Sequence, residues 1–559
     1  MTWQQVLEAL QAGTRYITLG KGRFARIEES LQSLSELVRA ADTGRSTAEV
    51  QLPAAAIIPV SQALAETGAT VVADNTWQRF VESVDKVKGF SPQVSGHFNG
   101  TLREYQLEGY RWLARLKALG LGACLADDMG LGKTVQALAL LQREPGTAPS
   151  LVVAPTSVVH NWMREAERFV PKLTPLLHHG ADRCTDFGTL TGSHLIITTY
   201  DVLTRDIENF SACRFDIVIV DEAQFIKNSA TQRAKAVYAL NADTTLALTG
   251  TPIENQLTEL WSIFNAIVPG LLGSKQRFHR RFAVPIQKYD DAAAKTALAR
   301  LIRPFVLRRT KRVVAPELPP RTETVRFVEL YPEEREQYEI RRRAVLHFLE
   351  AAGSARPGEK QRFDILSQIT KLRRTVCHPR LVDSTSLLKS AKLDNACKLI
   401  STIVAEGNRA LIFSQFTGHL AILREQLDSA GQTYFYLDGA TPANQRGKLT
   451  TAWQEGQGDL FLISLKAGGT GLNLTGADYV IHLDPWWNPA VEDQATDRTH
   501  RIGQTKPVTV VRMIATDTIE EAVIALHDKK RELADSILQG AGTAGALSTD
   551  ELIDLIRVG

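Results

Sequence analysis

Cysteine is scarce here, and its spacing excludes more than its number does. Cys124, Cys184, Cys213, Cys377 and Cys397 stand far apart with no CxxC or CxC pair, a pattern that supplies neither a disulfide framework nor a zinc-binding module. A reducing compartment and no structural zinc are expected. No apolar run reaches the ~20 residues of a membrane span, and Met1-Thr2-Trp3-Gln4-Gln5 is polar, so no membrane partner and a cytoplasmic location are expected. Net charge is nearly absent as well. The 65 Lys+Arg against 62 Asp+Glu leave +3, so any hold on nucleic acid has to come from local basic patches. Nor is there an evident aromatic platform for unpaired bases. Trp486 and Trp487 lie between a strand end at Asp484 and Asn488-Pro489, where packing at a strand-to-helix turn accounts for them.

What the chain does have is Leu125-Ala126-Asp127-Asp128-Met129-Gly130-Leu131-Gly132-Lys133-Thr134, after a short apolar run and before Val135 to Leu141. The pattern predicts a buried strand, a glycine-bearing loop and a helix start, which together make a phosphate cradle. Gly130 and Gly132 let the backbone wrap an anion, Lys133 can reach β- and γ-phosphates, and the Thr134 hydroxyl can ligate magnesium. Asp127 occupies the place of the motif's usual first glycine. From Thr101 onward short apolar strands alternate with helices (Leu151–Ala154, Leu195–Thr199, Ile217–Val220), which predicts a parallel sheet covered on both faces. The last of these runs into Asp221-Glu222-Ala223-Gln224. Carboxylates at the C-terminal edge of such a sheet sit where its ligands bind: Asp221 to hold magnesium through its water shell, Glu222 as general base for the attacking water. Asp221 as a mere helix cap is the plain alternative. Leu248-Thr249-Gly250-Thr251-Pro252 closes the sheet, either as a simple turn or as a sensor of the nucleotide state.

Beyond Gln256 the texture is helical and basic, with runs at Arg277–Arg281, Arg308–Arg312, Arg341–Arg343 and Lys371–Arg374 interleaved with Phe and Leu. Charge runs are usually solvated faces, but four in one region suit a phosphate-facing surface. A second alternating region, with strands expected at Ala410–Ser414, Tyr434–Leu437, Leu460–Ser464 and Tyr479–Leu483, has no phosphate loop of its own. It offers Lys466-Ala467-Gly468-Gly469-Thr470, whose glycines permit close approach to phosphates. It also offers Gln494 to Arg501, where Arg498 and Arg501, three apart, are expected on one helix face as arginine fingers; a plain surface helix is the alternative. Before all this, Arg15–Leu19 and Arg23–Ile27 around Gly20-Lys21-Gly22 read as a hairpin. Leu31–Val38 and Trp77–Val84 read as helices, too few pieces for a self-sufficient domain.

Taken together, the Gln106 motif, Asp127 to Thr134, Ala154-Pro155-Thr156, Asp221 to Gln224, Thr249 to Pro252, Ile412 to Phe416, Tyr436 to Gly439, Lys466 to Leu474 and Asp493 to Gln504 resemble the SWI2/SNF2 family of superfamily 2 helicase-like ATPases, especially its bacterial members. The resemblance runs from about Leu102 to Leu538, and Asp127 in the first-glycine position is itself similar to what the family shows. It implies an α/β fold of two RecA-like lobes with parallel sheets, a helical protrusion insert and a C-terminal brace helix. The implied divisions are 1–98 (accessory region, the end of a helicase-associated segment), 99–303 (first lobe with the ATP site and the start of the insert), 304–389 (linker and protrusions), 390–519 (second lobe) and 520–559 (brace and tail). It implies that Gln106 recognises adenine, that Asp128, Met129, Gly130, Gly132, Lys133 and Thr134 hold ATP with Mg2+ on Thr134 and Asp221, and that Lys133, Asp221, Glu222, Arg498 and Arg501 carry hydrolysis. Lys466, Gly468, Gly469 and Thr470, with Arg308 and Arg309, are assigned to nucleic acid. Cys377-His378-Pro379 resembles family sequence rather than metal ligands, and Gln224 stands where many relatives carry histidine. The implied activity is an ATP-dependent translocase on double-stranded DNA, nucleoid-associated and without sequence preference, which displaces bound proteins, with a complex such as RNA polymerase as a candidate partner. A strand-separating DNA or RNA helicase is the alternative; an ATP-gated scaffold without catalysis is disfavoured by the intact site residues.

Overall fold

The computed structural model describes residues 16–20, 23–26, 34, 37–38, 52–67, 74–141, 148–180, 183, 194–253, 256–351, 359–468, 474–525 and 527. They form two compact units, the first taking in the described residues up to Asp128 and Gly132–Thr310, the second Met129–Leu131 and the described residues from Lys311 onward. No helix of the described residues is long and apolar enough to cross a membrane.

The hairpin expected near the start pairs β1 (Tyr16–Gly20) with β2 (Arg23–Arg26) in antiparallel fashion. The first unit's sheet then follows: β3 (Ala123–Leu125), β4 (Ser150–Ala154), β5 (Pro175–His178), β6 (Leu195–Thr199), β7 (Arg214–Asp221), β8 (Asn241–Leu248) and β9 (Val306–Leu307). The spatial order is β5-β6-β4-β7-β8-β3-β9, and every pairing is parallel. β4 and β6 are buried along their whole length, as continuous Val, Ile and Leu runs must be when helices cover both faces. Truncating one such side chain, Ile219→Ala for instance, should cost ~2–5 kcal/mol. The same core takes in Leu34, Leu37, Ile58, Val60 and Ala63 from the N-terminal stretch. Asp74 caps the helix Asn75–Lys88 by accepting from the Trp77 amide at 2.7 Å.

β9 interrupts a basic run in which helix was expected. Phe305 is fully buried, and the extended backbone after it donates no helical bonds. Instead the Leu307 carbonyl accepts from Ala126 N (2.7 Å) and the Arg309 carbonyl from Asp128 N (3.0 Å). A strand of two residues has no periodicity to read; only its partner β3 defines it.

The second unit carries β10 (Arg321–Val328), β11 (Ala410–Ser414), β12 (Phe435–Leu437), β13 (Leu460–Ser464), β14 (Tyr479–His482) and β15 (Val508–Ala515), again all parallel and ordered β10-β15-β14-β11-β13-β12. Four of these match the expected strands to within a residue. β10 lies in the stretch expected to be linker and protrusions, and it joins β15 through eight paired positions from Arg321↔Val508 to Val328↔Ala515. It is an edge strand with mostly exposed side chains, so it shows none of the apolar signal of a buried strand. The long helices Pro332–Ala351 and Glu359–Cys377 follow it. The expected brace helix begins at 519–525, and the remainder of it lies outside the described residues.

Candidate nucleotide site at the edge of the first sheet

Because all seven strands run the same way, the loops after β3, β7 and β8 leave one edge of the sheet together. β8 lies between the other two, so the loops after β3 and β7 start about two strand spacings, roughly 10 Å, apart. The first loop is the glycine-bearing one. Gly130 and Gly132 have φ of 82° and 78°, the left-handed region that favours glycine. A Cβ on Gly132 would also stand 2.5 Å from Gln106 Nε2 and 3.0 Å from a Val135 methyl. The loop opens into the helix Lys133–Leu141, whose first N–H groups and dipole favour an anion. The Lys133 ammonium donates to the Asp127 carbonyl at 2.6 Å and the Asp128 carbonyl at 3.3 Å, so its charge lies within the loop. Thr134 is half-buried in the first turn. Gln106, in the first turn of Glu104–Ala118, is buried, accepts from Arg103 N at 3.0 Å and donates to the Tyr105 hydroxyl at 3.3 Å. This donor set, two left-handed glycines, a helix start, an ammonium and a hydroxyl, suits a phosphate chain with its counter-cation.

Asp127 has a different task from the glycine it replaces. Its carboxylate is fully buried and accepts from Arg309 Nε (2.9 Å), Arg309 Nη2 (2.5 Å), Arg309 N (3.1 Å) and Gln136 Nε2 (3.3 Å). Arg309 also donates to Gln136 Oε1 at 2.8 Å and to the Tyr105 carbonyl, and lies over the Tyr105 ring with Cζ 5.1 Å from its centroid. The loop therefore rests on an ion pair whose carboxylate is fully buried and whose guanidinium is largely covered. Expected on a nucleic-acid surface, the Arg309 guanidinium points inward instead, its donors occupied under the loop; its neighbour Arg308 is half-buried. A charge run cannot show which of its members turns inward, because the partner is 182 positions away.

At the end of β7, Asp221 is buried and closely held. Trp162 Nε1 donates to its Oδ2 at 2.8 Å, Glu222 N to its Oδ1 at 2.9 Å, and the Tyr200 hydroxyl to its main-chain carbonyl at 2.6 Å. Burial raises the Asp221 pKa well above the usual carboxylate range; the Glu222 carboxylate adds to this, while Trp162, the Glu222 amide and Lys133 oppose it. A further cation brought beside such a carboxylate would favour its ionised form. Glu222 itself sits at φ 49°, ψ 58°, a left-handed conformation that costs a non-glycine residue about 1–3 kcal/mol and clusters at functional sites. Its Oε2 accepts from Gln224 Nε2 at 2.8 Å, and Gln224 Oε1 accepts from the Thr249 hydroxyl at 3.0 Å. The amide at Gln224 thus links the carboxylate to the Thr249–Thr251 loop after β8, where the Thr251 amide donates to Thr249 Oγ1 at 3.1 Å. Sequence patterns do not single out Trp162, Tyr200 or Gln136, and they assign Arg309 to nucleic acid rather than to Asp127. The one signal they offer is a tryptophan on a helix that follows a buried strand.

In the second unit the helix Pro489–Thr496 ends before the two arginines, so they do not share a helix face as expected; Arg498 is buried and Arg501 half-buried in the turns that follow. The buried Lys311 ammonium accounts for the break. It donates to Asp497 Oδ1 at 2.8 Å and to the His500 carbonyl, while His500 Nε2 bonds the Pro319 carbonyl at 2.9 Å. Lys466 and Gly468 lie in the short helix Leu465–Gly468; Gly469 and Thr470 fall outside the described residues. Elsewhere in this unit Cys377, His419 and Asp484 bring ligand atoms within 4.8 Å of one another, all buried. Asp484 and Cys377 also feel the charges of Lys392 and Arg373, and burial keeps the thiol well above its ordinary pKa. With Lys392 paired to Glu520 at 2.7 Å, the charges there balance as an ion-pair core.

Comparison with known proteins gives the following likenesses. A model of the SNF2-related domain matches residues 105–381 and one of the helicase conserved C-terminal domain matches 391–503. A putative ATP-dependent helicase/translocase, YwqA, of Bacillus subtilis is 41% identical over 83% of this chain and 52% of its own length. The mouse SWI/SNF-related matrix-associated actin-dependent regulator of chromatin subfamily A member 1 is 33% identical over 87% of this chain and 47% of its own. The chain spans about half the length of these curated relatives. A solved Sulfolobus solfataricus SWI2/SNF2 ATPase core in complex with dsDNA is 36% identical and covers 84% of this chain, all of that chain being matched, with a TM-score of 0.41.

Proposed function

Because the chain belongs to the SWI2/SNF2 family of helicase-like ATPases, we propose that it hydrolyses ATP to ADP and phosphate in a DNA-dependent manner and moves along double-stranded DNA, displacing what is bound there. The observation that carries the reading is the meeting, at one sheet edge, of the left-handed phosphate loop and the strained Asp221-Glu222 pair, with Gln224 tying Glu222 to Thr249 in the loop after β8.

In this reading Gln106 contacts adenine, while the loop amides and Lys133 bind the phosphate chain. Thr134 and Asp221 are the groups that would hold magnesium, whose charge, when bound, offsets that of the β- and γ-phosphate oxygens. Glu222 accepts the proton of the attacking water as its oxygen bonds the γ-phosphorus; the bond to the bridging oxygen breaks, and ADP carries off that electron pair. Arg498 and Arg501 are assigned to the charge that builds on the γ-phosphoryl oxygens. Contacts to DNA are with backbone charge, so affinity should fall steeply with salt and vary little with sequence. A DNA-bound complex such as RNA polymerase is the kind of obstacle such a motor would push.

The test offers the protein, with ATP, a triplex whose third strand can be pushed off and a forked duplex. Third-strand displacement with an intact fork supports translocation. Efficient separation of the fork makes the protein a strand-separating helicase and overturns the reading.

A further inference from the structure

The segment 274–289 turns its two phenylalanines inward, while its arginines lie towards the surface and Tyr289 is exposed. Phe278 and Phe282 are buried, whereas Arg280 is exposed and Arg277 and Arg281 are half-buried. Its helix Lys275–Phe278 opens into a π turn at His279–Ala283 before Val284–Tyr289 resumes. Pro285 is the cause. It has no N–H for the Arg281 carbonyl four residues back, and its ring crowds that carbonyl, so the backbone takes in an extra residue per turn there. The wide turn gathers Arg277, Arg280 and Arg281 around one open concavity of about 460 Å³. Arg277 is steadied without using its charge: its amide donates to the capping Ser274 hydroxyl at 3.3 Å, and its stem lies along Gly273, close enough that a Cβ there would stand 3.4 Å from Cδ. Among the described residues neither Arg277 nor Arg280 has a carboxylate within ion-pair distance. The like charges of Arg277 and Arg280 repel one another, and an anion between them removes that cost.

We propose that Arg277, Arg280 and Arg281 form a discrete contact for the phosphate backbone of duplex DNA, apart from the nucleotide loop; this rests on the DNA-translocase reading above. Among the described residues, the concavity is lined by those three arginines. It offers forks that match phosphate oxygens bidentately, and among the described residues no aromatic ring lines it to stack a base. A nucleotide would find only its phosphates held; a continuous backbone presents a series of phosphates to an open surface.

The experiment compares wild type with Arg277→Gln/Arg280→Gln and with Arg277→Lys/Arg280→Lys in binding a blunt duplex across a salt series, with inorganic phosphate and ATP as competitors. Thermal unfolding serves as the fold check. The glutamine pair should weaken duplex binding by roughly tenfold at low salt and lower the slope of log K against log salt by about two, one for each phosphate that no longer faces a cation. The lysine pair should keep the slope and lose only part of the affinity. Wild-type affinity and slope in the glutamine pair overturn the proposal, as does competition by inorganic phosphate or ATP as effective as that by duplex, which would make this a site for compact anions. A wild-type protein that binds no duplex at all refutes the translocase reading itself, a result distinct from either.

Discussion

Replacing Arg309 by methionine tests how the phosphate loop is held. The substitution keeps most of the stem and removes every charged donor to a carboxylate with no solvent exposure. Asp127 would retain only the residue-309 amide at 3.1 Å and the Gln136 amide at 3.3 Å. Breaking a buried pair from one side costs about 3–5 kcal/mol, because the remaining charge stays in low dielectric without its counterion. For a unit of this size that corresponds to a fall in Tm of roughly 10 °C. Asp127→Asn combined with Arg309→Met removes the stranded charge, so the double variant should be more stable than Arg309→Met alone, with a coupling of about 2–3 kcal/mol. Urea unfolding of the four proteins measures the cycle, and ATP titration of the same set reads whether the loop has moved. Additive effects, or a wild-type midpoint for Arg309→Met, would refute the argument. Loss of DNA affinity at unchanged stability would return Arg309 to the nucleic-acid surface.

Lys133→Ala should abolish ATP binding, whereas Glu222→Gln should bind ATP and fail to release phosphate; wild-type turnover in the latter removes Glu222 from the base role. Arg498→Ala or Arg501→Ala should leave ATP binding in place and lower kcat on the order of 10³-fold, and an unchanged kcat in both would make them structural. Acid should loosen the second unit. Burial lowers His378 and His482 from 6.5 to about 4, and His378 Nδ1 accepts from the Arg380 amide at 3.1 Å, which only the neutral ring can do. The unfolded chain binds the proton first, so the stability is fully present above pH ~6.5 and is lost as pH falls towards ~4, about 2 kcal/mol per histidine by pH 5. A urea midpoint that does not change between pH 7 and 5 contradicts this.

The amino-acid sequence alone determined the family and the two parallel sheets, because their evidence is local. Unbroken Val, Ile and Leu runs such as Ile217–Val220 mark strands buried on both faces. Two glycines before Lys133 require backbone that only glycine adopts readily, and the acids after β7 follow their strand directly. Tertiary structure decided what depends on a distant partner. β9 and β10 are strands only because β3 and β15 are there to pair with them. Arg309 turns its guanidinium inward rather than to the surface because Asp127 waits for it in the core, and Arg498 and Arg501 lie beyond a helix, in a turn that Lys311 binds. Neither charge nor periodicity carries that information; a long side chain turns inward when a buried group of opposite sign offsets its desolvation, and that group is found only by folding the chain.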